Sequence, residues 1–271
     1  MIAVIDACTI LNLLQIFLDE KYIGYLESVF QNVFISPKVF DEINENKYKN
    51  LSDENAISDI DTIIYSKIHK FVTNEDTEEC CEIVKNATGY FKKNGEFYSV
   101  ALALCLSRME GNDFNEKILK VHFVTDDDGA KEDFSYFFKI SQIGQILDSI
   151  DIVTLFYLKG HIAKKELSDF CISLKSLYNR KMAILVRETE RIRGRQEESI
   201  LRHFLSEILE LLNTGETEEL KKIKTHRNFT RVKRKEKKFN KLFEEFLKSD
   251  IGQKIEQIEK RRKNIEYIWK I

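Results

Sequence analysis

Apolar and polar residues follow two periods along this chain, and the switch between them marks out its elements. "IAVID" is an unbroken, mostly β-branched run ending in an acid, and predicts a buried strand. "TILNLLQIFLDEKYIGYLESVF" then changes to helical spacing, with Leu11, Leu14, Phe17 and Leu18 followed by Tyr22, Tyr25, Leu26 and Phe30. "NVFIS" predicts a second strand. Pro37 opens the helix "PKVFDEINENKY", in the first turn where no N–H is needed. Further helices are expected over 53–70, in "TEECCEIVKNATGYFKKN" and in "GEFYSVALALCLSRME", with "KFVTN" as a short strand between the first two. "ILKVHFVT" is the next clear strand, and "GAKEDFSYFFK" a helix. "ISQIGQILDSI" carries a last short strand or turn, and "DIVTLFYLKG" is an apolar helix ending at Gly160. Strands alternating with helices predict an α/β fold, a small, mostly parallel sheet of four or five strands flanked by helices.

From about residue 161 the strand signals vanish. "KKELSDFCISLKSLYNRKMAILVRETERIRGRQEESILRHFLSEILELLN" reads as one or two long amphipathic helices. The break "NTGETEE" offers Thr214 or Thr217 as a cap, and the last 30 residues are helical again. There is no internal repeat and no Gly/Ser linker. The expected organisation is an α/β domain over 1–170 and a helical, basic region over 171–271.

Composition narrows this picture. With 271 residues, 43% of them hydrophobic, the chain can build an ordinary core, and a single Pro favours helix. No uncharged run approaches the ~18 residues of a membrane helix. The start lacks a basic leader segment and carries Asp6 inside its apolar stretch, so a secretory signal is not expected. Five Cys without a CxxC pair read as small buried side chains in a reducing cytoplasm, and their spacing suits no zinc site.

The net charge of −2 conceals a split: 27 acids against 15 bases over residues 1–160, and 18 against 28 over 161–271. Residues 221–241 alone hold 11 Lys/Arg against one acid, Glu236. Lys221, Lys222, Lys224, Arg227, Arg231, Lys233, Arg234, Lys235, Lys237 and Lys238 are therefore expected to contact a polyanion, nucleic acid first. Phe229 and Phe239, within that run, are candidates to stack on bases. The cluster Arg191, Arg193 and Arg195 reads instead as an ion-paired helix face.

Candidate chemistry lies at the strand ends. In "FVTDDDGA", three adjacent carboxylates repel by about 4 kcal/mol per pair at ~4 Å and an effective dielectric near 20. A parallel sheet binds ligands outside the carboxyl ends of its strands. Asp6 ends the first strand, Asp41 and Glu42 follow the second, and Glu96 opens a helix rich in small residues. One sheet edge could therefore gather four or more carboxylates, an oxygen-only donor set that suits Mg²⁺ or Mn²⁺. Taken singly, each acid has an ordinary role: a strand end, a solvated helix face, a dipole partner, or, for Asp128, a helix cap.

In order and spacing, "VIDACTILNLL", "VFISPKVFDEI", "GEFYSVALALCLSR" and "FVTDDDGA" resemble the PIN-domain nucleases over residues 1–170. The resemblance implies catalytic carboxylates at Asp6, Glu42, Glu96 and Asp127. It places Asp6, Glu96, Asp126 and Asp127 around one or two Mg²⁺ or Mn²⁺, with Asp127 favoured over Asp126 as the main ligand. It implies a metal-dependent endoribonuclease that cleaves phosphodiesters with a metal-activated water. A bacterial toxin or phage-defence effector, with an antitoxin or defence protein as partner and the capacity to self-associate, is the role the family suggests. DNA as substrate, or an idle scaffold that binds nucleic acid, are the alternatives. Cys8 stands where the family usually has Ser or Asn, and the insert near 45–80 and the last 100 residues have no counterpart in minimal members.

Overall fold

The computed structural model describes residues 1–48, 54–108, 120–248 and 250–268. Asp53, Met109, Glu110, the strand residues Ile118 and Leu119, and Trp269–Ile271 were assigned to elements above and lie outside that set. The chain divides into two compact units, Met1–Phe170 and Cys171–Ile271.

The first unit is built on a sheet of four parallel strands: β1 (Ile2–Ile5), β2 (Asn32–Phe34), β3 (Val121–Val124) and β4 (Ile146–Leu147). They lie in the order β2-β1-β3-β4. In the register, Ile5 of β1 faces Val124 of β3, and Val124 faces Leu147 of β4. Every residue of β1 and β3 is buried, as expected when helices cover both faces of a parallel sheet. Side chains alternate across it. Ile2, Val4, Val121 and Phe123 pack with Val100, Ala101, Leu104, Phe134 and Phe138 in one core.

The helices follow the sequence pattern with corrections at their ends. The single helix expected over 9–30 is two, α1 (Ala7–Phe17) and α2 (Lys21–Val29). Leu18 adopts a left-handed φ of 48° and closes α1 through its amide to the Leu14 carbonyl. Asp19 then accepts the Lys21 amide and starts α2. In α3 (Pro37–Asn46), Ser36 caps the N-terminus by accepting from the Val39 amide. α4 (Glu54–Ile63) continues into a wider π-helical turn, Ile64–Ile68, and a 3₁₀ turn, His69–Phe71. The strand expected at "KFVTN" is reduced to one bridge between Val72 and Ile35.

α5 (Glu78–Thr88) ends at Gly89, which takes the positive φ of 68° that glycine tolerates best. α6 (Gly95–Arg108) is buried on most sides, and the small residues Ala101 and Ala103 are fully covered. α7 (Asp128–Ile140) and α8 (Ser149–Leu158) complete the layers, and α8 carries a reciprocal capping box between Asp148 and Asp151.

The remaining elements are helical: α9 (Lys164–Arg195), α10 (Ser199–Thr214), α11 (Thr217–Ile223), α12 (Arg227–Lys235), α13 (Lys237–Lys248) and α14 (Ile251–Ile268). The break between α10 and α11 is made by Gly215 at a φ of 78° and by Glu216, so neither Thr214 nor Thr217 serves as an N-cap. Four of the five Cys are only partly buried, and Cys171 alone is fully enclosed. No described helix is long and apolar enough to cross a membrane.

Gly144 tests how tightly the site-bearing strands are held. A Cβ there would lie 2.1 Å from the Val121 carbonyl oxygen, which is backbone and cannot swing aside. Gly144→Ala is expected to destabilise the protein by about 1–3 kcal/mol. A urea titration that leaves the unfolding midpoint in place would contradict this close approach.

Candidate active site

The strand order reverses between β1 and β3, and ligands of open α/β sheets sit at that point, outside the carboxyl ends of the strands. Asp6 follows β1 and Thr125–Asp128 follows β3, so the chain places carboxylates on both sides of the switch point.

Asp6 is 3% exposed. Its amide donates to the Val124 carbonyl at 2.9 Å, extending the β1–β3 ladder by one rung. It sits at the N-cap position of α1 without capping it. Instead its Oδ2 accepts from the Cys8 thiol at 2.9 Å and from the Thr125 hydroxyl at 3.1 Å. Oδ1 is buried and has no hydrogen-bond partner. Burial, with a further push from the Glu42 charge, raises the Asp6 carboxyl to about 6, against the bonds from Cys8 and Thr125.

Cys8 is more than a departure from the family pattern. Its thiol donates to Asp6, and its sulfur accepts the Asp126 amide at 3.2 Å. Burial and the neighbouring carboxylates Asp6 and Asp126 push the thiol well up, so it stays protonated and remains a donor.

The three aspartates following Thr125 separate into three roles. Asp126 turns away from the switch point. Its Oδ2 accepts from Asn12 Nδ2 at 2.9 Å, and its Oδ1 from the amide and hydroxyl of Ser149 at 3.2 and 2.9 Å. It ties α1 to α8, and that geometry does not suit the direct ligation expected of it. Asp127, not Asp128, is the N-cap of α7: its Oδ1 accepts from Gly129 at 2.8 Å and Ala130 at 3.3 Å. Its own amide donates to the Thr125 hydroxyl at 3.1 Å. Asp128 is the first helical residue and pairs with Lys131 at 3.1 Å. Lys131 reaches Asp148 as well, at 3.2 Å.

Glu42 and Glu96 come together through the start of α6. Glu42 Oε1 accepts from the Gly95 amide at 2.8 Å. A Cβ on Gly95 would stand 2.5 Å from Glu42 Oε2, so a glycine is what lets this carboxylate settle over the helix N-terminus. Glu96 Oε2 accepts from Tyr90 Oη at 2.9 Å and Asn94 Nδ2 at 2.7 Å. Burial raises the Glu96 carboxyl well above its usual range. The neighbouring carboxylates Asp127 and Asp6 add to this.

The sequence-predicted acids Asp6, Glu42, Glu96 and Asp127 are thus coupled electrostatically at one edge of the sheet. They are not closed around a point: among the described residues, no group of three or more His, Cys, Asp or Glu is gathered for a metal ion. The donors nonetheless fit a hard divalent cation in kind. All are carboxylate oxygens, and Asp6 Oδ1 is a buried acceptor with nothing to accept from. Sequence reasoning missed Tyr90 and Asn94, which hold Glu96, Asn12 and Ser149, which hold Asp126, and Lys131, which pairs with Asp128 and Asp148. Asn12 lies one turn after Cys8 on the same helix face, and Asn94 two residues before Glu96, so spacing alone could have flagged both.

In the second unit, most of the expected nucleic-acid contacts are ion-paired. Lys221 pairs with Glu218 and Asp250, Lys222 with Glu219, and Lys224 and Lys233 with Glu244. Arg231 pairs with Glu198, and Lys238 with Glu188. Arg227, Arg234, Lys235 and Lys237 are exposed and have no ion pair among the described residues. Phe229 and Phe239 are 1% and 0% exposed and pack on Phe243, so neither is free to stack on a base. Arg191 forms the expected ion pairs, with Glu188 and Glu236.

No protein-family model, curated protein or solved structure matches the chain.

The raised Asp6 carboxyl fixes a sign for stability. Below the unfolded value of 3.8, Asp6 is protonated in both states. Between 3.8 and about 6 the unfolded chain loses its proton first, so ionisation favours unfolding. Metal-free stability should fall by about 3 kcal/mol through this window from Asp6 alone. Urea unfolding in EDTA across pH 4 to 7 measures the fall. Asp6→Asn should flatten it, and an identical pH slope in that variant would contradict the assignment.

Proposed function

We propose that the first unit is a Mg²⁺- or Mn²⁺-dependent nuclease of the PIN-domain type that hydrolyses phosphodiester bonds in RNA. The observation that carries this reading is the linked set of carboxylates at the sheet's switch point: Asp6 and Glu96, both raised by burial, with Glu42 beside Asp6 and Asp127 beside Glu96, and Lys131 paired to Asp128 nearby. Such a cluster carries an electrostatic cost that a purely structural role does not explain.

Asp6, Glu96 and Asp127 would hold the ion, with Asp6 Oδ1 as the buried donor and the second Asp127 oxygen left over from its cap. The cation supplies Lewis-acid activation of water and neutralises charge on the phosphate. Cys8 and Thr125 orient Asp6 through hydrogen bonds to Oδ2 and leave Oδ1 to turn toward a ligand. Tyr90 and Asn94 do the same for Glu96. Glu42 adds negative charge beside Asp6. Asp126 sets the position of Asp127 by anchoring the segment between β3 and α7 to Asn12 and Ser149. Arg227, Arg234, Lys235 and Lys237, without an ion pair among the described residues, supply the attraction for a polyanion.

Three outcomes are expected. Incubated with labelled single-stranded RNA and Mn²⁺, the protein should cleave it, while Asp6→Asn and Glu96→Gln should not. Cys8→Ala should weaken the apparent Mn²⁺ affinity by about 10–100-fold, as loss of an orienting partner does. Because protons compete at Asp6 and Glu96, that affinity should rise with pH through 6 to 7.5. Cleavage retained in Asp6→Asn, or of DNA alone, would overturn the corresponding part of this reading; absence of any Mn²⁺ binding would favour an idle scaffold.

Replacing Arg227, Arg234, Lys235 and Lys237 together by Gln should lower the salt dependence of RNA binding. The slope of log K against log salt should fall by about 3, at roughly 0.7 per phosphate contact. The same change at the ion-paired Lys221, Lys222 and Lys224 should move it less.

A further inference from the structure

Between α5 and α6 runs the short segment Gly89-Tyr90-Phe91-Lys92-Lys93-Asn94. Its two ends are pinned to one carboxylate oxygen. Tyr90 turns inward, packs on Phe134 at 4.9 Å and donates its hydroxyl to Glu96 Oε2. Asn94 donates to the same oxygen, and its Oδ1 accepts the Phe97 amide. The segment is therefore an arch standing over Glu96.

The top of the arch is of a different character. Phe91 is 74% exposed, the second most exposed of the large apolar side chains among the described residues. Lys92 and Lys93 beside it are exposed and have no ion pair among the described residues. Lys92 Nζ lies 5.6 Å from the centre of the Tyr90 ring, whose hydroxyl reaches Glu96. A lone exposed Phe on a protein surface is ordinary. An aromatic ring flanked by two unpaired cations, one residue from a tyrosine that touches the carboxylate cluster, combines a stacking face with phosphate contacts.

We propose that Phe91, Lys92 and Lys93 form a platform for single-stranded nucleic acid at the carboxylate site. Phe91 stacks on one base, and Lys92 and Lys93 contact the phosphates beside it. The proposal rests on the nuclease reading only for what happens next to the bound strand; binding itself needs no cleavage. The negative charge of the carboxylate cluster repels a phosphate chain, and the platform supplies an attraction at that edge that does not depend on the cation.

The test uses the full-length protein in EDTA, so that turnover is absent. The chain has one Trp, Trp269. In a Trp269→Phe background, Phe91→Trp places an emitter on the arch, and a mixed-sequence single-stranded RNA of about ten nucleotides should quench it. Duplex RNA, whose base faces are already stacked, should leave emission nearly unchanged. In fluorescence anisotropy, Phe91→Ala should weaken binding of the same oligonucleotide by about 5–150-fold, and Phe91→Tyr should retain it. Lys92→Gln with Lys93→Gln should lower the salt slope by about 1.4. Melting temperatures should not move, since none of the three side chains is buried. Emission unmoved by saturating RNA, equal quenching by duplex, or an unchanged affinity in Phe91→Ala would each overturn the platform. Loss of Mn²⁺-dependent cleavage with quenching intact would instead count against the nuclease reading and leave the platform standing.

Discussion

The rest of the first unit is arranged around a carboxylate kept dry at the end of its central strand. Asp6 closes the β1–β3 ladder with its backbone and carries its side chain into a space 3% open to solvent. From it a chain of hydrogen bonds runs through Cys8 to the Asp126 amide, and from the Asp126 carboxylate to Asn12 on α1 and Ser149 on α8. Two strands and two helices are thereby fixed relative to one group that would be better solvated elsewhere. The neighbouring Glu42 makes its ionisation harder still, and Asp6 in turn raises Glu96. A fold that only needed to be stable could place Asn or Ser at position 6 and lose this penalty, which is why the arrangement points to a ligand.

Much of this frame was legible in the sequence, because it rests on local patterns. The runs at Ile2–Ile5 and Val121–Val124 are apolar without alternation, the mark of strands buried on both faces. Pro37 and Ser36 announced the start of α3. The acids at the strand ends were found by asking where a parallel sheet binds ligands. What escaped was the direction in which each acid points. After β3 the chain stays extended, so Thr125 and Asp127 share one side and Asp126 the other. That alternation separates the two aspartates, yet a motif read as a string treats them as interchangeable. The cap was misplaced by one residue for a related reason: the Thr125 hydroxyl takes the Asp127 amide and brings the helix start forward. Asp127 and Asp128 are equally good caps in composition, so only tertiary contact decides.

The second unit shows the limit of local counting more plainly. A run of eleven cations with one acid looks unpaired within its own window. Its partners lie outside that window, at Glu188, Glu198, Glu244 and Asp250. Phe229 and Phe239 likewise looked available because their sequence neighbours are charged. In short amphipathic helices such as α12 and α13 they are the apolar anchors, and burying them is what holds the helices in place. The structure thus thins the basic face to the few cations that have no ion pair among the described residues, without removing it.

A thinned basic surface and a charged acidic cluster on one chain pose a single electrostatic question. A phosphate chain approaching Asp6, Glu42, Glu96 and Asp127 meets four carboxylates of its own sign. On the proposed nuclease reading a divalent cation at the cluster would reverse that, and the phosphate would in turn supply further oxygens to a cation that carboxylates alone bind incompletely. The two ligands therefore help each other, and by linkage the gain is mutual: whatever factor the cation adds to nucleic-acid affinity, nucleic acid adds to cation affinity. Protons enter the same balance, since burial raises the Asp6 and Glu96 carboxyls and lets protons compete there with a cation. On the proposed nuclease reading, the open, incompletely gathered geometry of the carboxylates is the resting form of a site whose last ligands would come with its substrate.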